Sequence, residues 1–155
     1  MIIGIAGAVV GLIVGVTGHP NADEIWLAQV DLGNGAPVQI VFGGNLRLLA
    51  GDLVPAAPPG SKAVTLSDKG PGTRKIRARR YRGTRSHGML CSLSELGWLE
   101  HSPDEVALLV GLPPGHSLDD VPVGLRAGFV LGWGRSWKIA DQASKPDRAP
   151  GPPPA

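Results

Sequence analysis

Apolar and polar positions along this chain change in short bursts rather than in long helical stripes, and the bursts predict strands. Residues 1–17 (MIIGIAGAVVGLIVGVT) carry no charge, are rich in β-branched side chains, and are punctuated by Gly4, Gly7, Gly11 and Gly15. They are expected to form one long buried strand, bent or bulged at its glycines. The run stops short of the about 20 apolar residues that a membrane helix needs. It also lacks the positive start of a secretory leader, so no membrane partner is expected.

Residues 25–32 (IWLAQVDL) and 38–42 (VQIVF) read as a hairpin around Gly33-Asn34-Gly35. Residues 52–57 form a short extended piece ending at Pro58-Pro59-Gly60, and residues 67–73 (SDKGPGT) read as a loop. Residues 75–81 are expected to be one strand. Its period of two puts Ile76, Ala78 and Arg80 on one face and Lys75, Arg77, Arg79 and Tyr81 on the other. Ser92 with Glu95 fits a capping box and Gly97 a C-terminal stop, which predicts a single helical turn. Residues 106–112 (VALLVGL) read as the last core strand. The fold class is therefore all-β: a small five-stranded barrel with a short helical turn and a C-terminal appendage.

Composition supports this picture. A chain of 155 residues with 43% hydrophobic content suits one domain, and 23 glycines with 15 prolines favour short elements and turns. One cysteine, Cys91, excludes an internal disulfide and a multi-cysteine metal site.

Charge changes the picture most. Between Arg74 and Arg85 stand seven cations (Arg74, Lys75, Arg77, Arg79, Arg80, Arg82 and Arg85) and no acid. The whole chain has net charge +2; without these seven, eight cations remain against 13 acids, a net of −5. Such segregation points to a localised polyanion-binding face. Six of the seven are arginines, which stack on bases and fork to phosphates, so RNA is the favoured polyanion. Lys75, Arg77 and Arg79 are placed to track successive phosphates, with Arg74, Arg82 and Arg85 extending the track. Tyr81 and Phe42 are the candidate base-stacking aromatics, whereas Trp26 and Trp98 suit the core. Among small barrels, the OB-fold is one that presents a strand face to nucleic acid, although periodicity alone does not separate it from its peers.

Catalysis finds little footing. His19, His87, His101 and His116 have no metal-ligand spacing. His87, Cys91 and Glu95 follow one another at four-residue intervals, but a small buried cysteine in a turn is the stronger reading. No metal, cofactor or phosphate-binding loop is expected.

Five motifs occur in order: His19-Pro20-Asn21-Ala22-Asp23; Val30-Asp31-Leu32-Gly33; Ile40-Val41-Phe42-Gly43-Gly44-Asn45; Arg82-Gly83-Thr84-Arg85-Ser86-His87-Gly88-Met89-Leu90-Cys91-Ser92; and Glu95-Leu96-Gly97. Over about residues 7–114 they resemble the EMAP II-like tRNA-binding OB-fold domain. That module stands near the N-terminus of bacterial phenylalanyl-tRNA synthetase β subunits, in methionyl-tRNA synthetases and in stand-alone tRNA-binding proteins. One departure is Phe42-Gly43-Gly44-Asn45, where the family usually has a cysteine or serine followed by Gly-Ala-Pro-Asn.

The resemblance implies a non-catalytic, cytoplasmic tRNA-binding protein that recognises folded tRNA, here free-standing. It also implies roles for the Ser-x-Gly-Met turn. Ser86 would donate to a phosphate or sugar, Gly88 would supply a backbone shape that a side chain would block, and Met89 would meet a base or, more in keeping with its type, the core. Asn45 would be a loop contact or a turn residue bonding its own backbone. The domain is expected over residues 1–121. An apolar appendage follows over 122–140, either helical or a bent strand pair, and offers a homodimer or packing surface. A disordered proline-rich tail is expected over 141–155. Two other readings stay open: a protein-interaction or chaperone module of the same fold, and an auxiliary subunit of an aminoacyl-tRNA synthetase.

Overall fold

The computed structural model describes residues 1–43, 46–103, 105–133 and 135–136. The first half comprises β1 (Ile2–Ala6), β2 (Val9–Gly18), β3 (Ile25–Asp31), β4 (Val38–Gly43), β5 (Leu46–Arg47), β6 (Leu53–Ala57), β7 (Lys62–Ser67) and β8 (Gly70–Lys75). Then come β9 (Arg79–Tyr81), β10 (Thr84–Ser86), β11 (Met89–Leu90), the helical turn α1 (Leu93–Leu96) and β12 (Ala107–Leu109). Two 3₁₀ turns, Leu118–Asp120 and Val123–Phe129, lead to β13 (Val130–Trp133) and β14 (Arg135–Ser136).

The fold class is the expected one: mostly β, with one short helical turn and a C-terminal appendage. The strand segments are shorter and more numerous than five. The largest sheet runs β13-β12-β6-β2-β3-β4, with β11 also on β6, and it does not close on itself among the described residues. A three-stranded sheet, β1-β7-β8, and a two-stranded one, β9-β10, stand apart from it.

The β3–β4 hairpin forms as its pattern predicts, in register from Ile25↔Gly43 to Val30↔Val38. Its turn is held by Asp31, whose Oδ1 accepts from the N–H groups of Gly33 (2.8 Å) and Gly35 (3.1 Å). Trp26 faces Phe42 across the pair, and both lie in a core with Ile13, Val30, Ile40 and Val54. A second core joins Ile5, Val10, Ile76, Cys91, Leu93 and Leu109. Strand β2 feeds both clusters, because its ladder passes from β6 (Val9–Leu12) to β3 (Leu12–Gly18).

Two local readings need correction. Residues 1–17 are two strands, not one: the chain turns at Gly7-Ala8, β1 pairs with β7, and β2 enters the large sheet. The side chain of Ser61 explains the break, since its hydroxyl donates to the Gly7 carbonyl (3.3 Å) while Asp119 accepts from the Gly7 N–H (2.9 Å). Residues 67–73 are not a loop either. They hold the tip of a β7–β8 hairpin, with Thr73 opposite Val64 and Gly70 opposite Ser67. Its outer strand, Gly70–Lys75, is glycine-rich and has mostly exposed side chains, so no apolar alternation betrays it.

The helical turn has both halves of its capping box. Ser92 Oγ accepts from the Glu95 N–H (3.2 Å), and Glu95 Oε1 accepts from the Ser92 N–H (2.9 Å). The appendage begins with a 3₁₀ turn over Val123–Phe129 and continues as a strand pairing with β12. No helix among the described residues is long and apolar enough to cross a membrane. The proline-rich tail, residues 141–155, lies outside the described residues.

Candidate nucleic-acid interface

The cationic stretch does not form the single strand its alternation suggests. Ile76 is 6% exposed and joins the second core. Its N–H donates to the Ser61 carbonyl (2.7 Å), and its carbonyl accepts from the Gly60 N–H (2.9 Å). The core therefore takes hold of the chain in the middle of the basic run. Lys75 and Arg74 end β8, Arg77 stands on the link, and Arg79 begins β9. Lys75, Arg77 and Arg79 do not share one strand face, so a period-two phosphate track is not what they form.

The hairpin that follows is a compact basic tip. Arg79, Arg80 and Tyr81 pair with Ser86, Arg85 and Thr84. Its two-residue turn has positive φ at both positions, 50° at Arg82 and 83° at Gly83. That is the twist a tight hairpin prefers, but Asn or Gly usually takes the first place. Arg82 is the one non-glycine residue with positive φ among the described residues. An arginine held there costs about 1 kcal/mol and sets a guanidinium at the extreme tip.

Arg80 sits directly opposite Arg85. Opposed like charges weaken a ladder, and Arg80 adds to the exposed charge of the tip; the alternation puts it on one face with Ile76 and Ala78. Arg74, Lys75, Arg77, Arg79, Arg80, Arg82 and Arg85 are all exposed. None of them forms an ion pair among the described residues.

Three contacts fix the hairpin to the large sheet. The Val41 N–H donates to Ser86 Oγ (2.9 Å), the His87 N–H to the Gln39 carbonyl (2.8 Å), and Gln39 Nε2 to the Arg85 carbonyl (2.9 Å). Gln29 Nε2 donates to Gln39 Oε1 (3.2 Å), which orients that amide. On the far side, His19 is fully buried. The Asn21 N–H can only donate to its Nδ1 (3.0 Å), so the ring proton lies on Nε2 and donates to the Tyr81 carbonyl (2.9 Å). His19 and Gln39 are positioning residues that sequence reading missed. A usable signal existed for the second: Gln29 and Gln39 are the amide side chains within two otherwise apolar strands.

The Ser-x-Gly-Met turn is structural. Ser86 is 1% exposed, and besides accepting from Val41 its hydroxyl donates to the Gly88 carbonyl (3.0 Å). Its hydroxyl thus joins β4 to the turn from a buried position, which does not favour the expected phosphate or sugar contact. Gly88 has φ 111°, and a Cβ there would collide with the Ala57 carbonyl. Met89 pairs with Ala57 and packs partly buried on the second core. Phe42 is 7% exposed and opposes Trp26, so it is not a stacking platform; Tyr81, at 42%, is exposed. Asn45 lies outside the described residues. Cys91 is wholly buried, and burial first, then the nearby Glu95 carboxylate, pushes its thiol well above the ordinary range.

Comparison with known proteins gives the family. Residues 8–116 match the family model described as a putative tRNA binding domain. The chain belongs to that family. The phenylalanine–tRNA ligase β subunit of Symbiobacterium thermophilum is 40% identical over 129 residues, which is 83% of this chain and 13% of that one. The corresponding subunit of Prochlorococcus marinus is 40% identical over 144 residues, 91% of this chain and 16% of that one. This chain thus spans about a seventh of the curated relatives it matches. A solved structure, the C-terminal domain of Plasmodium vivax p43, aligns with a TM-score of 0.48 at 20% identity, over 71% of this chain and 57% of that one.

Proposed function

We propose that this chain binds folded tRNA, without catalysing a reaction on it, through the basic tip β9–β10 and the cations that flank it. One observation carries the reading: seven exposed cations between Arg74 and Arg85 that form no ion pair among the described residues. Such a cluster repels itself, and a phosphate backbone relieves the repulsion while releasing its own counterions. Phosphate contacts position a nucleic acid without reading its sequence. Tyr81 adds one exposed ring, and a single ring suits a shaped RNA better than an extended stacked strand.

Arg79, Arg80, Arg82 and Arg85 supply the affinity in this reading, with Arg74, Lys75 and Arg77 beside them. Ser86, Gly88 and Met89 hold the hairpin's return strand, and Asn45 remains a proposed loop contact. A non-catalytic role fits Cys91 and Glu95, which are committed to the core and to the helix cap. The relatives' names suggest that the bound tRNA is delivered to a phenylalanine–tRNA ligase. Total tRNA titrated against the chain and its R80A/R85A variant tests the reading; equal affinity in both would reject this site.

A second reading, self-association through the appendage, is favoured by its exposed apolar side chains. Val123 is 75% and Leu131 64% exposed, beside a groove walled by Trp98 and Arg126. Light scattering decides it: a dimer that Leu131→Asp converts to monomer supports the reading, and a monomeric unaltered chain removes it.

A further inference from the structure

A second pair of cations is opposed away from the basic tip. On the β7–β8 ladder Lys62 lies directly across from Lys75, and both are exposed. Opposed residues stand about 5 Å apart at Cβ, where like charges destabilise the pair. That separation is well inside the screening length of about 8 Å at physiological salt. Neither lysine has an ion-pair partner among the described residues. The acid on this flank, Asp119, accepts from the Gly7 N–H, and Asp68 lies in the turn at the opposite end of the hairpin. Strand β8 is the outer strand of its sheet, so no further strand covers Lys75.

The sheet carrying this pair is not the one carrying Arg80 and Arg85. Buried Ile76 is the link between them. Lys75 and Arg79 are four residues apart, so their Cα atoms are separated by at most about 14 Å. The two cation pairs thus lie within reach of one RNA, on two separate ladders.

We propose that Lys62 and Lys75 form a second phosphate-binding site, which receives a backbone segment other than the one held by β9–β10. The preferred ligand is then an RNA folded so as to present two backbone segments at once. This rests on the tRNA-binding reading above and adds to it a site, Lys62, and a requirement for fold in the ligand.

The experiment is fluorescence anisotropy on the full chain, with total tRNA and with a single-stranded RNA 10-mer, across a potassium chloride series. Lys62→Ala lowers the tRNA log–log salt slope by about 0.7 to 0.9, the share of one phosphate, and leaves the 10-mer slope unchanged. Lys62→Glu gives Lys75 a partner, so it keeps or raises Tm while weakening tRNA binding tenfold or more. A steep wild-type slope that neither substitution alters overturns the second site and leaves the basic tip standing. Equal losses on tRNA and on the 10-mer overturn the two-segment requirement. A wild-type chain that does not bind tRNA overturns this proposal together with the reading it rests on.

Discussion

At the scale of single residues, the chemistry is divided between side chains that carry charge and side chains that hold those carriers in place. Arg82 carries charge at a strained φ of 50°. Replacing it by Asn, which tolerates that conformation, is expected to raise stability by up to about 1 kcal/mol and to weaken tRNA binding several-fold. Chemical denaturation and anisotropy on the same sample check the two halves; loss of stability together with binding would contradict the strain. Gly88→Ala meets both a positive φ and the Ala57 carbonyl. The expected cost is about 2 kcal/mol or more, seen as a lower denaturation midpoint with an unchanged m-value.

Cys91 gives a prediction about pH. Its folded pKa is raised, so the native state keeps a proton that the unfolded chain releases from about pH 9 upward. Protons bound in the native state exceed those in the unfolded state there, and the stability this group contributes falls as pH rises past that point. Below it, the native thiol stays protonated and enclosed. Iodoacetamide at pH 8.5 should label the urea-unfolded chain and leave the native chain almost untouched. Fast native labelling would show that Cys91 is not enclosed as described.

At the scale of elements, the legible and illegible parts separate cleanly. Strands β3 and β4 and the helical turn were readable because each has a local signature: alternation, an Asx turn and a capping box. The β7–β8 hairpin was not. Its strands bury one side chain well, Ala63, and expose most of the rest, so tertiary pairing alone defines it. The single basic strand expected over residues 75–81 failed at one residue. Ile76 reads as one apolar position in a polar strand, but the core pins it by side chain and by both backbone groups, and the ladder divides there. Ser86 misled for a related reason. A hydroxyl in a basic segment looks available, whereas this one joins the Val41 N–H and the Gly88 carbonyl.

The anchoring of β9–β10 also makes a prediction at this scale. His19→Ala removes the donor to the Tyr81 carbonyl and leaves that carbonyl short of a partner. A partly buried hydrogen bond lost in this way costs about 1 kcal/mol. Amide exchange at Arg79–Tyr81 should accelerate more than exchange at β2–β3, and tRNA affinity should fall although no cation is altered. Uniform acceleration across both sheets would mean that His19 supports the whole core rather than the hairpin.

At the scale of the whole molecule, the account rests on charge segregation. The chain places eight cations and 13 acids outside the basic stretch and seven cations inside it. The family match over residues 8–116 gives that asymmetry an RNA context. The fold explains how the cations stay together: a buried isoleucine splits them between two ladders, and a buried histidine and a glutamine tether the hairpin that carries four of them. The most direct measurement is the affinity of the full chain for total tRNA across 50–200 mM potassium chloride. Five to seven phosphate contacts predict a log–log slope of about −4 to −6, or roughly a thousandfold loss of affinity over that range. Absent binding, or affinity that does not change with salt, would contradict the account.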